Sequence, residues 1–186
     1  MNRATVGPLT LGNRTTGTGK TDGRSLAARL ESLEQEVRQL RVFQEEQSVL
    51  HTLYQYGHSI DYGLHAKWLD CFTEDGAFDL RSRDGLLLTD MKHPLGKYEG
   101  RDALTQFIGR SAKPPAKYRK HLLIEPRISI QGNRATAVSY YASLHEERGA
   151  PFLRAFGRYL DQLVKCPDGK WRFQERVDEL EAWMPR

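Results

Sequence analysis

HLLIEPRISIQGNRATAVSYYASLHEE, residues 121–147, is two alternating apolar runs joined by the turn QGNR. Alternation of period two is the mark of strands with one buried face, and a Gly-Asn pair between such runs predicts a hairpin. It places Tyr141, Ser143 and His145 on one face of the second strand. Downstream, FLRAFGRYLDQLV (152–164), the turn CPDG and KWRFQERVDELEAW (170–183) form another strand pair. Gly157, Tyr159 and Asp161 share a face there. The last third of the chain therefore reads as an antiparallel meander.

Upstream the periodicity changes. Ser25 is placed to cap a helix, and Leu26, Leu30, Leu33, Val37 and Leu40 recur at spacings of four and three. This stripe covers barely two heptads, and it predicts packing on the chain's own domain or on a second subunit. The helical pattern continues through Val49, Leu50, Leu53, Tyr54 and Ile60 and stops at Asp61–Gly63. A short helix around 65–72, a turn and strand start in EDGAFDL (74–80), strand and loop up to Tyr98, and a third helix in GRDALTQFIGR (100–110) follow. Helices first and a meander later predict an α+β fold in which helices cover one face of a curved sheet. Three parts are expected: a disordered basic tail over 1–24, a helical extension over 25–45 and the main domain over 46–186.

Composition removes several function classes. With 186 residues and 39% hydrophobic residues, the chain suits one globular domain with a real core. No apolar run approaches the roughly 20 residues of a membrane helix, and the N-terminus has no signal-like segment. The formal charge of +4 is concentrated in the tail, where Arg3, Arg14, Lys20 and Arg24 face Asp22 alone. Nucleic acid is not an expected partner, and neither is a membrane. RTTGTGKT (14–21) has Arg14 where a phosphate-binding loop needs its first glycine. Cys71 and Cys166 are far apart, which suits a reduced, cytoplasmic setting. The sequence offers no cluster with metal-ligand spacing and no glycine-rich cofactor loop. No cofactor is expected.

The stretch YGHSIDYG (56–63) sets one carboxylate, Asp61, among apolar and small residues at a helix end. A negative charge is disfavoured at the negative end of a helix dipole, so Asp61 calls for a reason. Asp61 shares a helical face with Tyr54 and Gly57, and Gly57 leaves open space beside it. A buried carboxylate needs a partner, and a histidine ring is one that can answer it. A carboxylate accepting from one ring nitrogen fixes the tautomer and leaves the other nitrogen as a base. Trp68, Phe72, Phe78, Trp171 and Phe173 read as packing. Arg158 and Arg176 read either as surface residues or as partners of Asp161 and Glu175.

The ordered set ID (60–61), CFTEDGAF (71–78), YEGRDAL (98–104), KH (120–121), GNRATAVSYY (132–141), FGRYLD (156–161) and DGKWRFQER (168–176) resembles the SnoaL-like branch of the nuclear transport factor 2-like superfamily. The resemblance covers about residues 46–183. It implies a cone-shaped α+β barrel, three helices on a bent and mostly antiparallel sheet around a deep apolar pocket. The branch holds cofactor-free enzymes, including scytalone dehydratase, bile-acid 7α-dehydratase and hexachlorocyclohexane dehydrochlorinase, and also non-catalytic dioxygenase β subunits. Its lyases' aspartate and histidine fall on Asp61 and His121. A second histidine falls near His145, and pocket residues fall on Tyr56 and Tyr159. The departures are Ile60, where scytalone dehydratase has a tyrosine, Leu80, where it has another, and Tyr159, where it has an asparagine.

The resemblance thus implies a dehydratase acting on a small apolar cyclic, polyketide-, terpenoid- or steroid-like molecule. Asp61 orients His121 as the base, and a tyrosine or protonated His145 assists the leaving group. Isomerisation or cyclisation by the same pair, and a non-catalytic small subunit or ligand-binding module, are the alternatives. A homodimer or homotrimer is expected from the leucine stripe.

Overall fold

The computed structural model describes residues 25–84, 86, 94–111, 113–115 and 117–184. The tail expected over 1–24, and most of the stretch between Gly85 and Pro94, lie outside the described residues. The chain divides into two compact units, residues 1–38 and 39–186.

Helix α1 spans Leu26–Tyr62 and runs without a break through residues 45 and 46. Ser25 caps it: its Oγ accepts from the Ala28 amide at 3.2 Å. Leu26, Leu30, Leu33 and Val37 are exposed in the first unit. The far end of α1 closes with Gly63 at φ +65°. There the Leu64 amide donates back to the Ser59 carbonyl at 2.9 Å. This six-to-one bond is the Schellman closure, which favours glycine because a side chain resists that φ. It fixes Asp61 one residue before the helix stops.

Helix α2 (His65–Leu69) is shorter than the pattern suggests. Strand β1 (Phe72–Ser82) already begins at Phe72 and pairs there with Phe173. β2 (Gly96–Glu99) leads directly into α3 (Gly100–Gly109). The meander follows as β3 (Arg119–Gln131), β4 (Arg134–Glu147), β5 (Ala150–Lys165) and β6 (Trp171–Trp183). Strand order is β2-β1-β6-β5-β4-β3. All neighbours are antiparallel except β1 with β6, which are parallel.

In β4 every second residue is buried: Ala135, Ala137, Ser139, Tyr141, Ser143 and His145. β3 achieves inward alternation differently. Its pairing shifts between Ile124 and Arg127, with Glu125 at φ 48°. The extra residue of this bulge reverses the phase of the strand. Arg119, His121 and Leu123 face inward before it, and Pro126, Ile128 and Ile130 after it.

The core is an aromatic cluster between helices and sheet. Trp68 meets Phe72 with ring centroids 4.7 Å apart and Phe107 at 5.7 Å, and Phe78 meets Phe107 at 4.8 Å. Phe72 meets Phe173 at 5.2 Å. Burying each such ring stabilises by about 1.5–3 kcal/mol, with about 0.5–1.5 more per well-set pair. The middle of α1 is tied to β6 by polar bonds. Thr52 Oγ1 donates to the Trp171 carbonyl at 2.7 Å, and Trp171 Nε1 donates to Glu45 Oε2 at 2.8 Å. Arg176 resolves toward the interior, where its Nε and Nη2 donate to the two oxygens of Asp161 at 2.7 Å each. Its guanidinium lies 4.2 Å from the ring centroids of Tyr56, Tyr159 and Phe173. Arg158 pairs instead with Glu179 and Glu181 near the surface.

Candidate active site

The last turn of α1 and the first residues of β3 come together because Gly57 has no side chain. A Cβ there would stand 3.2 Å from the His121 carbonyl oxygen. The space expected beside Gly57 is thus filled by the backbone of β3. That close approach brings Asp61 onto His121.

Asp61 is 3% exposed. Its Oδ2 accepts from the His121 backbone amide at 2.9 Å, and its Oδ1 lies 2.6 Å from His121 Nδ1. The carboxylate is acceptor-only when ionised, so Nδ1 carries the hydrogen and donates. The remaining nitrogen, Nε2, then holds the free lone pair of a base. Among the described residues Nε2 has no hydrogen-bond partner. Arg119, two residues earlier on the same face of β3, places Nε 3.7 Å from Asp61 Oδ1. Its terminal nitrogen donates to the Ile60 carbonyl at 3.0 Å, answering the open end of α1. Burial lowers the affinity of Arg119 for its proton, and Asp61 acts against that. This arginine offsets the unfavourable placement of a carboxylate at a helix C-terminus.

A cavity of about 320 Å³ opens beside the pair, lined by Tyr56, Gly57, Asp61, His121, Leu123 and Tyr159 among others. Its size falls within the range of small-molecule sites. Tyr54 is also part of its lining but is half exposed. The Tyr56 ring is buried, and burial pushes its phenol far above the ordinary range. Tyr159 is equally buried, and its hydroxyl has no hydrogen-bond partner among the described residues.

His145 faces inward and is 7% exposed, but it is not part of this cavity's lining. Its Nε2 lies 3.0 Å from Ser143 Oγ, a neighbour two positions along the same face. Burial, and then the positive charges of Lys117, Arg119 and Arg154, press its pKa down to about 3. The ring is therefore neutral at physiological pH, which corrects the expectation of a protonated His145. Of the five candidate residues, Tyr56, Asp61, His121 and Tyr159 meet in one cavity and His145 stands apart. Leu80 is buried in the core.

Two groups escaped the sequence reading. Arg119 sits at two-residue spacing from His121, and alternation alone puts both on one face. Asp178 lies in the charged run DELE of β6, yet its Oδ1 is buried without a hydrogen-bond partner among the described residues. Among the described residues no group of three or more His, Cys, Asp or Glu side chains is placed to hold a metal ion. Nor is any described helix long and apolar enough to cross a membrane.

The SnoaL-like domain model matches residues 41–177. The chain belongs to the SnoaL-like family. Its architecture is the NTF2-like fold. An NTF2-like protein with a cystatin-like fold from Novosphingobium aromaticivorans superposes with a TM-score of 0.65 at 20% identity, over 80% of this chain and 89% of that one. A protein from the same organism, assigned as the β subunit of an aromatic-ring-hydroxylating dioxygenase, has a TM-score of 0.63 at 18% identity, over 78% and 95%. ActVI-ORFA of Streptomyces coelicolor gives 0.58 at 22% identity, over 73% and 96%. These likenesses establish the fold. No curated protein matches the chain.

Proposed function

We propose that this SnoaL-like protein is a cofactor-independent lyase, a dehydratase, for a small apolar cyclic substrate of polyketide, terpenoid or steroid type. The observation that carries this is the Asp61–His121 pair, 2.6 Å apart, on the wall of a cavity it shares with two buried tyrosines. In the reaction His121 Nε2 takes a proton from carbon beside a carbonyl. Asp61 stabilises the imidazolium that forms. The electron pair becomes the new double bond, and the β-hydroxyl leaves as water with the proton returned from Nε2. A buried tyrosine hydroxyl assists by hydrogen bonding to oxygen.

The same proton abstraction without a leaving group gives isomerisation, and with an internal carbonyl acceptor it gives cyclisation. The test is to incubate cyclic β-hydroxy ketones with the protein in D₂O and follow α-deuteration and loss of water by NMR. Exchange faster than in buffer, and lost in His121→Ala, supports the reading. Exchange equal to buffer across the panel, or unaltered in His121→Ala, overturns it.

The exposed stripe Leu26, Leu30, Leu33, Val37 and Leu40 favours a second reading, in which this helix docks on a partner. Self-association through it as a homodimer or homotrimer is compatible with catalysis. Docking on a larger catalytic chain would make this protein a non-catalytic small subunit, and one structural neighbour is assigned as the β subunit of a dioxygenase.

A further inference from the structure

The cavity beside Asp61 and His121 has an outer half that the proposed reaction leaves unused. Its lining includes Tyr54, His58 and Tyr62 from α1 and Lys120 and Leu122 from β3. A cavity can touch both faces of a strand only at the edge of a sheet, and β3 is the terminal strand. His121 and Leu123 turn inward, whereas Lys120 and Leu122 alternate to the outer face. Helix α1 divides in the same way. Tyr54, His58 and Tyr62 recur every fourth residue on its exposed side, and Leu53, Tyr56 and Ile60 form its buried side. Gly57 and Asp61 stand on the line between the two. At a rise of 1.5 Å per residue, the exposed side from Tyr54 to Tyr62 is about 12 Å long. The cavity is therefore an opening at the sheet edge that reaches from His121 to the outer surface.

The two halves differ in charge. Among the described lining residues, Asp61 is the one carboxylate and Lys120 the one permanent cation. Asp61, in the inner half, is committed to His121 and Arg119. The Lys120 ammonium, in the outer half, donates to the Tyr62 hydroxyl at 2.8 Å and lies 4.0 Å from the centre of that ring. Among the described residues no carboxylate pairs with it. An ammonium has three hydrogens to donate, so two remain, and the Tyr62 hydroxyl keeps its own hydrogen for a further acceptor. Both donors stand at the mouth, where Tyr54, Tyr62 and Leu122 are exposed. An anion is disfavoured beside Asp61 and favoured beside Lys120. Apolar surface is favoured further in, between Leu53, Leu123 and the buried tyrosines.

We propose that Lys120 and Tyr62 form an outer subsite for a carboxylate carried by the apolar ring system of the substrate. Lys120 is then a specificity-determining residue. It selects acidic cyclic molecules over neutral ones and fixes which end enters the cavity. The subsite rests on the lyase reading for its place in the reaction, in which the inward end presents the carbon that loses a proton to His121. The carboxylate at the mouth exchanges no proton and is the same in substrate and product.

The experiment is binding of naphthalene-2-carboxylate and of the similarly shaped naphthalene-2-carboxamide to the full chain. It is read by calorimetry at pH 8 in about 20 mM and about 500 mM NaCl, with ¹H–¹⁵N spectra of the histidine rings to locate each probe. The carboxylate is expected to bind about fivefold more tightly than the amide at low salt, about the most that a solvent-exposed ion pair contributes. At high salt the preference should fall to about twofold or less. Lys120→Gln should abolish it, Lys120→Glu should reverse it and Tyr62→Phe should reduce it. Both side chains are exposed, so melting temperatures should stay within about 2 °C of wild type. Lys170→Gln, outside this cavity's lining, should leave the preference in place. Both probes should shift the His121 ring signals.

Equal binding of the two probes, no binding of either, a preference that survives Lys120→Gln, or a carboxylate probe that leaves the His121 ring unshifted overturns the subsite. A preference that depends on Lys120, in a protein without His121-dependent deuterium exchange, retains the subsite and removes the lyase reading. Exchange together with equal binding does the reverse.

Discussion

Asp61→Asn tests the site at its centre, because the substitution keeps shape and removes charge. The carboxylate accepts two hydrogen bonds from one residue, at 2.9 Å from the His121 amide and 2.6 Å from its ring. An asparagine can keep only one. Its carbonyl oxygen can satisfy the backbone amide, which leaves its NH₂ facing Nδ1. Two donors then confront each other unless the ring shifts its proton to Nε2. The base would be blocked at the nitrogen that faces substrate. Arg119, 3.7 Å away and mostly buried, would also lose its counter-charge. A hydrogen bond to a charged group contributes about 1.5–3 kcal/mol, and an uncompensated buried charge adds to the loss. We expect a destabilisation of about 2–4 kcal/mol and a melting temperature lower by about 5–15 °C. Turnover should fall by about 10²–10⁴-fold.

The assay that needs no substrate is long-range ¹H–¹⁵N NMR of the histidine rings. Wild-type His121 should appear as the Nδ1–H tautomer and the variant as Nε2–H. An unchanged tautomer together with a melting temperature within about 1 °C of wild type would refute the coupling between Asp61 and the ring.

Three further outcomes follow from burial and charge. Asp178 has a folded pKa of about 7 against an ordinary 3.8. The native state thus holds the proton over a window in which the unfolded chain has lost it, and stability from this group falls as pH rises through about 7. Asp178→Asn should therefore raise the melting temperature relative to wild type by a few degrees at pH 8 and by little at pH 4. Equal gaps at both pH values would contradict it. His145, held down to about 3, binds its proton only in the unfolded chain between that value and 6.5. Its stabilising contribution is lost as pH falls below 6.5, and its ring carbons should show no titration by NMR between pH 5 and 8. Arg176→Met leaves the Asp161 carboxyl buried without its two bonds and should cost about 3–5 kcal/mol in urea unfolding, whereas the double change with Asp161→Leu should recover much of that.

Much of this protein is written in local pattern. The alternation through Ala135, Ala137, Ser139, Tyr141, Ser143 and His145 is period two, and a half-buried strand has no other way to sort those residues. Ser25 and Gly63 mark the ends of α1 because capping and left-handed closure depend on a few adjacent residues. The pairing of Asp61 with His121 entered from the family resemblance, and the geometry came from elsewhere. Gly57 had to admit the backbone of β3, and the bulge at Glu125 had to reverse the strand's phase, before both ends of β3 could face inward.

Tertiary structure alone decided the rest. The parallel pairing of β1 with β6 joins segments about a hundred residues apart, and no local pattern encodes such a closure. Arg176 could be read as surface or interior, and only burial among three aromatic rings settled it. Ser139, Tyr159 and Asp178 stand opposite one another only through the register of three strands. Register is a property of pairing, and a slip of one residue would turn each of those side chains to the other face of the sheet.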